Sequence, residues 1–166
     1  LLGLNHHKMN KLYNYIFLLL LPCYNSYAIT AAGNIPRFVS LKVSEANIRT
    51  GPGVKFPIKW ILIKKHIPLE ILDHFDNWYK IRDEEHQEGW IHKNLISSAR
   101  YFIISKDEAV LYKNPKRYYV LSRLESGVRG KIKSCRYKWC EVQIGKMNGW
   151  LKKDNMWGVY FHEFVK

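Results

Sequence analysis

From residue 38 onward the chain is a succession of short apolar-rich runs cut by turn residues, at 38–43, 58–63, 69–72, 78–82 and 89–92 in its first half. Val, Ile, Leu, Trp, Tyr and Phe dominate these runs, and Gly, Pro, Asn and Asp collect between them, which is the pattern of strands joined by tight turns. No segment holds apolar residues at three-and-four spacing over the length of an ordinary amphipathic helix. The expected class is all-β.

The pattern then recurs. Pro52 aligns with Pro115 and Leu69 with Ile132 at an offset of 63, Trp78-Tyr79-Lys80-Ile81 with Trp139-Cys140-Glu141-Val142 at 61, and Gly89-Trp90-Ile91 with Gly149-Trp150-Leu151 at 60. The offset shrinks only across turns, as expected if loops shorten while strands keep their length. Two copies of about 60 residues, five short strands each, imply two small barrels in tandem. The expected bounds are 38–98 and 99–160, with the boundary near Ser97-Ser98-Ala99 and a tail at 161–166. In the first copy, Asn77 before Trp78 and Gly89 before Trp90 are expected to end turns, so that both tryptophans can face the small barrel's interior, with packing in the core or at the barrel rim favoured for all four motif tryptophans. Gly51 and Gly53 around Pro52 are expected to supply positive φ for a tight turn.

Ahead of the first barrel, residues 29–37 show no periodicity and read as a linker. Before them, Met9, Lys11, the apolar run from Ile16 to Leu21 and Ser26-Tyr27-Ala28 form the three regions of a signal peptide, residues 1–28, with Met9 as its start and cleavage after Ala28. Pro22 would break a buried helix at this place, and it stands where a lipobox before Cys23 needs a small residue. No run reaches the roughly 20 apolar residues that cross a bilayer as a helix. The mature chain is thus expected to be exported, periplasmic or extracellular, without a transmembrane span.

Charge separates the two copies. The whole chain has 27 Lys and Arg against 14 Asp and Glu. Residues 38–98 carry nine against eight, whereas residues 99–166 carry fifteen against six, so the basic character belongs to the second barrel. Export also changes the cysteine count: losing Cys23 leaves Cys135 and Cys140, an even number in an oxidising compartment. Four residues separate them, enough for a turn, so the two can face each other across the hairpin Lys133 to Val142 and form a disulfide. The alternative is a pair of buried thiols. The bond is the favoured reading, because the first copy has Leu72 and Tyr79 near those places and shows no general need for cysteine.

Asn47-Ile48-Arg49-Thr50-Gly51-Pro52-Gly53, Trp78-Tyr79-Lys80-Ile81 and Glu88-Gly89-Trp90-Ile91-His92, in that order and spacing, resemble the bacterial SH3-like (SH3b) domain. Pro36-Arg37-Phe38-Val39-Ser40-Leu41 and Leu95-Ile96-Ser97 are similar to the flanks of exported tandem SH3-like proteins. The second copy resembles their second repeat through Cys135, Trp139-Cys140, Gly149-Trp150-Leu151 and Trp157-Gly158-Val159-Tyr160, but has Lys113-Asn114-Pro115-Lys116 at the Arg-Thr-Gly-Pro-Gly turn. The resemblance covers about residues 36–160 and implies a cell-envelope binding module for peptidoglycan or its stem peptides, without catalysis of its own. The alternative, from another class, is an exported scaffold or adaptor whose barrels bind a partner protein of the envelope; a catalytic accessory acting on the cell wall ranks third.

Candidate ligand contacts are Arg49 and Thr50 at the first turn, Trp60 and Tyr79 as aromatics beside turns that either pack or bind, and Lys131, Lys133 and Lys138 as cations for the carboxylates or phosphates of peptidoglycan or another anionic polymer. Tyr118, Tyr119 and Tyr137 are further aromatics beside turns. Trp78, Trp90, Trp139 and Trp150 are expected to pack rather than bind. A basic, aromatic-rich barrel is also a nucleic-acid pattern, but export argues against that partner. No catalytic group is expected, since no nucleophile, base and orienting group come together. Asp83-Glu84-Glu85-His86 with Glu88 reads as a solvated loop, because adjacent strand residues point to opposite faces. His66, His74, His86 and His92 lack zinc spacing, and Lys64-Lys65-His66 reads as a solvated turn. No metal or cofactor is expected. Intact-mass measurement of protein recovered from the envelope should find Ile29 as the first residue; a chain retained uncut in the cytosol would contradict the export reading.

Overall fold

Alternation within the strands sets the architecture of the computed structural model, which describes residues 35–116 and 119–166. The signal-peptide segment lies outside them. In β1 (Arg37–Leu41), Val39 and Leu41 face one way and enter the first core. β2 (Glu45–Arg49) contributes Ala46 and Ile48, β3 (Ile58–Ile63) Leu62, and β4 (Pro68–Phe75) Leu69 and Ile71. β5 (Trp78–Arg82) and β6 (Glu88–His92) add Ile81 and Ile91 to the same cluster. A short β7 (Ile96–Ser97) closes the order β3-β2-β6-β5-β4-β1-β7, all pairs antiparallel.

The second copy repeats this arrangement. Its strands are β8 (Tyr101–Ile104), β9 (Glu108–Tyr112), β10 (Val120–Glu125), β11 (Arg129–Arg136), β12 (Trp139–Ile144), β13 (Met147–Lys152) and β14 (Met156–Trp157). Their order, β10-β9-β13-β12-β11-β8-β14, matches the first copy strand for strand. Each copy therefore has seven short strands instead of the five expected. β2 was hidden because its only inward residues are Ala46 and Ile48, and its end overlaps the turn motif. β4 and β11 carry a bulge at matching places, between Ile71 and Asp73 and between Ile132 and Ser134. An extra residue there bends a long strand, which lets each pair with one neighbour at its start and another at its end.

The two barrels pack through outward faces that the sequence alone reads as ordinary strand. All four of Phe38, Val39, Ser40 and Leu41 are buried. Val39 and Leu41 fill the core; Phe38 and Ser40 point the other way into the second copy. The Phe38 ring lies 5.0 Å from Trp157, edge-on, and 4.7 Å from Tyr160. Ser40 donates its hydroxyl to the Ala99 carbonyl at 2.8 Å. Glu70, directly opposite Phe38 in the β1–β4 register, accepts a hydrogen bond from the Tyr160 hydroxyl at 2.7 Å.

Two turns expected to be solvated do stay exposed, at 64–66 and 85–87, but each also touches the second barrel. His66 stacks on Tyr101 at 4.1 Å, and His86 meets Trp157 edge-on at 5.6 Å. In the 83–87 loop, Asp83 accepts from the Glu85 and Gln87 amides while Glu84 pairs with Arg129 at 3.5 Å. The charges of that loop thus organise the loop itself and its contact with the second barrel.

Segment ends differ from expectation as well. Arg37 is already strand, so the 29–37 stretch gives way to the barrel one residue early. Residues 161–166 fold back: Val165 exchanges backbone hydrogen bonds with Cys135 at 2.8 and 3.2 Å. Because those groups of Cys135 serve the tail, Cys135 and Cys140 form a non-hydrogen-bonded pair across β11 and β12, with close Cα atoms at 4.1 Å, and the disulfide joins them. The matching cross-strand pair of the first barrel is His74 and Tyr79. Phe38→Ala should cost about 3 to 5 kcal/mol in urea unfolding, the usual range for emptying a buried aromatic site. Hydrogen exchange should then show Ile81 opening independently of Val142; joint opening in the variant would mean that the two cores are coupled elsewhere.

Candidate functional site

The turn after β2 is a closed loop. Arg49 donates to the Phe56 carbonyl at 2.7 Å, and the Thr50 amide to the Pro57 carbonyl at 3.0 Å. Gly51 is required by close approach: a Cβ there would collide with the Phe56 ring. Neither Gly51 nor Gly53 has positive φ, in contrast to the sequence expectation, since the loop turns over Phe56 instead of through a left-handed residue. Arg49 is thus a clamp for the loop, Thr50 is exposed, and Pro52 with Gly53 is half-buried.

Beside this loop lies a groove of about 390 Å³, lined by Glu45, Asn47, Arg49, Val54, Trp78 and His92 among others. Trp78 and His92 meet edge-on at 5.3 Å to form one wall, and Val54, at 78% exposure, stands on the other. The sequence motif pointed to Arg49 but gave no reason to choose Val54 or His92, which come to the groove from a loop and a strand end.

The tryptophans of the repeated motif line the outside of the barrels. In Gly89-Trp90-Ile91 the inward positions are Gly89 and Ile91, so Trp90 faces out; Gly149-Trp150-Leu151 behaves identically. Gly89 does not end a turn but lies within β6, and a Cβ on it would strike Ile48; at Gly149 the obstacle is Leu111 at 2.7 Å. Trp78, Trp90, Trp139 and Trp150 are all half-buried and belong to neither core. Trp139 packs edge-on against Tyr112 at 5.4 Å with the Lys152 ammonium 5.7 Å from its ring. They are rim residues.

Trp60 packs against the first core, and its indole N–H is buried without a hydrogen-bond partner among the described residues. Tyr79 also leans on that core, with the Arg37 guanidinium 5.7 Å from its ring. Both are chiefly packing residues. Tyr118 lies outside the described residues; Tyr119 and Tyr137 are exposed.

The three lysines do not share a surface. Lys138 borders a groove of about 250 Å³ formed with the tail, between Tyr137, Phe161 and Phe164. Lys133 is exposed at the β11 bulge. Lys131 faces the junction instead, in one cleft with Lys64 and Lys65 of the first barrel. The sequence could not anticipate that juxtaposition, which depends on how the barrels dock.

The tail is held by charge. Arg100 forms a two-pronged pair with Glu163, one arm at 3.0 Å, and also donates to the Gly158 carbonyl at 2.7 Å. Burial opposes ionisation of Glu163, but the Arg100 hydrogen bonds and the Tyr160 amide outweigh it, leaving the carboxyl below its ordinary range. Lys153, only 3% exposed, donates to the Phe161 and Glu163 carbonyls at 3.0 and 2.6 Å. Burial lowers its pKa, partly offset by Glu163. Burial and the bond to Glu70 raise the Tyr160 phenol well above its usual range. Hydrogen bonds from Lys80 and Arg82 hold Glu88 at about 2.

These features define two tandem SH3-like barrels. A sequence profile of the bacterial SH3 domain matches residues 42–98 and 105–158, and the chain belongs to that family. Among solved structures, the chain is similar to NlpC2 of Trichomonas vaginalis, at 14% identity and a TM-score of 0.35, covering 74% of this chain and 48% of that one. It is similar also to NlpC1 of the same organism, at 13% identity, TM-score 0.35, covering 76% and 47%. An NlpC/P60 family protein from Bacillus cereus matches at 15% identity, TM-score 0.34, covering 72% and 55%. The chain spans about half the length of these proteins. No curated protein matches the sequence. Family membership and the disulfide fit an exported, cell-wall-associated module. No helix among the described residues is long and apolar enough to cross a membrane.

Because the folded-state pKa of Glu163 is lowered, its contribution to tail docking is complete above the ordinary Glu value of about 4.3 and is lost as pH falls through the lower folded value. The Val165 amide resonance should therefore keep its docked position down to about pH 4 and shift below it. In Glu163→Gln this pH dependence should vanish; an unchanged profile in the variant would place the acid-sensitive group elsewhere.

Proposed function

We propose that the protein is a non-catalytic, exported binding module that recognises peptidoglycan or its peptides in the periplasm or outside the cell. The groove beside the Arg49–Gly53 loop carries this reading. It joins an aromatic wall, Trp78 with His92, to the exposed Val54 and to polar groups at Glu45, Asn47 and Arg49. An extended peptide suits such a shallow groove, with apolar contact along Trp78 and Val54 and main-chain partners at the polar positions. The clamped Arg49 keeps the loop in one shape, so little order has to be imposed on binding. Family membership supports the wall as the source of the peptide.

One observation favours a second reading, in which the barrels bind an envelope protein. β3 is an edge strand that exposes Ile58, Ile61 and Ile63, at 48%, 44% and 74%. Exposed apolar edges accept strands from partners.

Purified sacculi should retain the mature chain in a pull-down. Trp78→Ala and the surface change Val54→Glu should each lower retention about tenfold, roughly 1.4 kcal/mol, with backbone amide resonances outside the groove unchanged. Ile63→Lys should not affect it. Retention indifferent to both Trp78→Ala and Val54→Glu would overturn the groove reading, an envelope protein captured by the native chain and lost in Ile63→Lys would favour the partner reading, and a chain-dependent fall in sacculus turbidity would overturn the non-catalytic one.

A further inference from the structure

The cleft between the barrels is lined by cations from both. Lys64, Lys65 and His66 come from the β3–β4 turn of the first, Arg129 and Lys131 from β11 of the second, and Tyr101 from β8 lies between. Its volume is about 350 Å³. The turn is held at this place by His66, whose amide donates to the Leu41 carbonyl at 2.9 Å and whose ring stacks on Tyr101. The opposite wall is set by Gly130, where a side chain would strike the Gln143 carbonyl at 2.6 Å and the Phe102 ring at 2.7 Å. Both walls are thus part of the folded junction.

The cations of this cleft are unevenly matched. Arg129 has Glu84 at 3.5 Å. Lys64, Lys65 and Lys131 are exposed and have no carboxylate within ion-pair distance among the described residues. Three like charges brought together at a domain junction repel one another, and a bound anion would relieve that repulsion.

We propose that this cleft is a composite anion site for a phosphate-bearing chain, formed only when the two barrels are docked. The two-pronged guanidinium fork matches carboxylate and phosphate alike, but the one guanidinium here is paired with Glu84. The free cations are ammonium groups, compact point charges that suit phosphate oxygens from several directions. The cleft is open at the surface and its cations come from two separate walls, so a chain with successive phosphates can meet both. The site is separate from the first-barrel groove and does not depend on the peptide reading.

The test is calorimetric titration of the mature chain with inorganic polyphosphate and, at matched charge, poly-L-glutamate. Polyphosphate should bind more tightly, and its binding should weaken as salt rises. Lys64→Glu with Lys65→Glu on one wall, and Lys131→Glu alone on the other, should each weaken it about tenfold or more. Lys133→Glu with Lys138→Glu makes the same charge change outside the cleft and should leave it nearly unaltered. Vesicles of phosphatidylglycerol in phosphatidylcholine separate headgroups from a free chain. Polyphosphate binding that exceeds vesicle binding supports the proposal. Vesicle binding without polyphosphate binding overturns it, as do equal affinity for polyglutamate, an equal loss in the Lys133/Lys138 variant, or no binding. Val54→Glu should leave polyphosphate binding intact, so failure here is distinguishable from failure of the peptide site.

Discussion

The Phe38 ring, wedged between Trp157 and Tyr160, is the contact on which the arrangement of the molecule depends. A small barrel of short strands has one inward face and would normally leave its outer face wet. Here the outer face of β1 and that of the start of β4 are dry as well, because Phe38, Ser40 and Glu70 are covered by the second copy. Once Glu70 is enclosed its carboxylate needs partners, and Tyr160 supplies one and Arg82 another at 3.4 Å. The ring packing and the buried hydrogen bonds are therefore one construction, and they set how the two barrels face each other.

The second barrel differs from the first in what closes its open end. Residues 161–166 add a strand-like stretch to β11 at Cys135 and cover Lys153, while the equivalent Lys93 of the first copy remains exposed. A buried ammonium needs acceptors, and the carbonyls of Phe161 and Glu163 provide them. The disulfide lies under the same stretch, so covalent and hydrogen-bonded restraints act together on the hairpin that presents Tyr137 and Lys138.

The two surfaces differ in origin. The first-barrel groove belongs to one copy, since all of its lining residues lie between Glu45 and Leu95. The cationic cleft belongs to neither copy, since Lys64 and Lys131 meet only through the junction. One chain thereby has a groove with an aromatic wall on its first barrel and a cation-lined cleft at the junction.

Much of the fold was legible in the residues. Alternation and turn chemistry identified an all-β chain, the shifting offsets of 63, 61 and 60 revealed the tandem repeat, and the Cys135–Cys140 spacing matched a hairpin bridge, because all three are local properties of strands and turns. The direction in which a Gly-Trp-apolar triplet points was not legible. It follows from the space that Ile48 and Leu111 occupy opposite the glycines, which the triplet itself does not encode. The burial of Phe38 and Glu70, the docking of the His66 and His86 turns, and the meeting of Lys64, Lys65 and Lys131 were decided only by tertiary structure. A strand's outer face carries no mark of what will cover it, and the partner lies far along the chain, from 35 residues for His66 and Tyr101 to 122 for Phe38 and Tyr160.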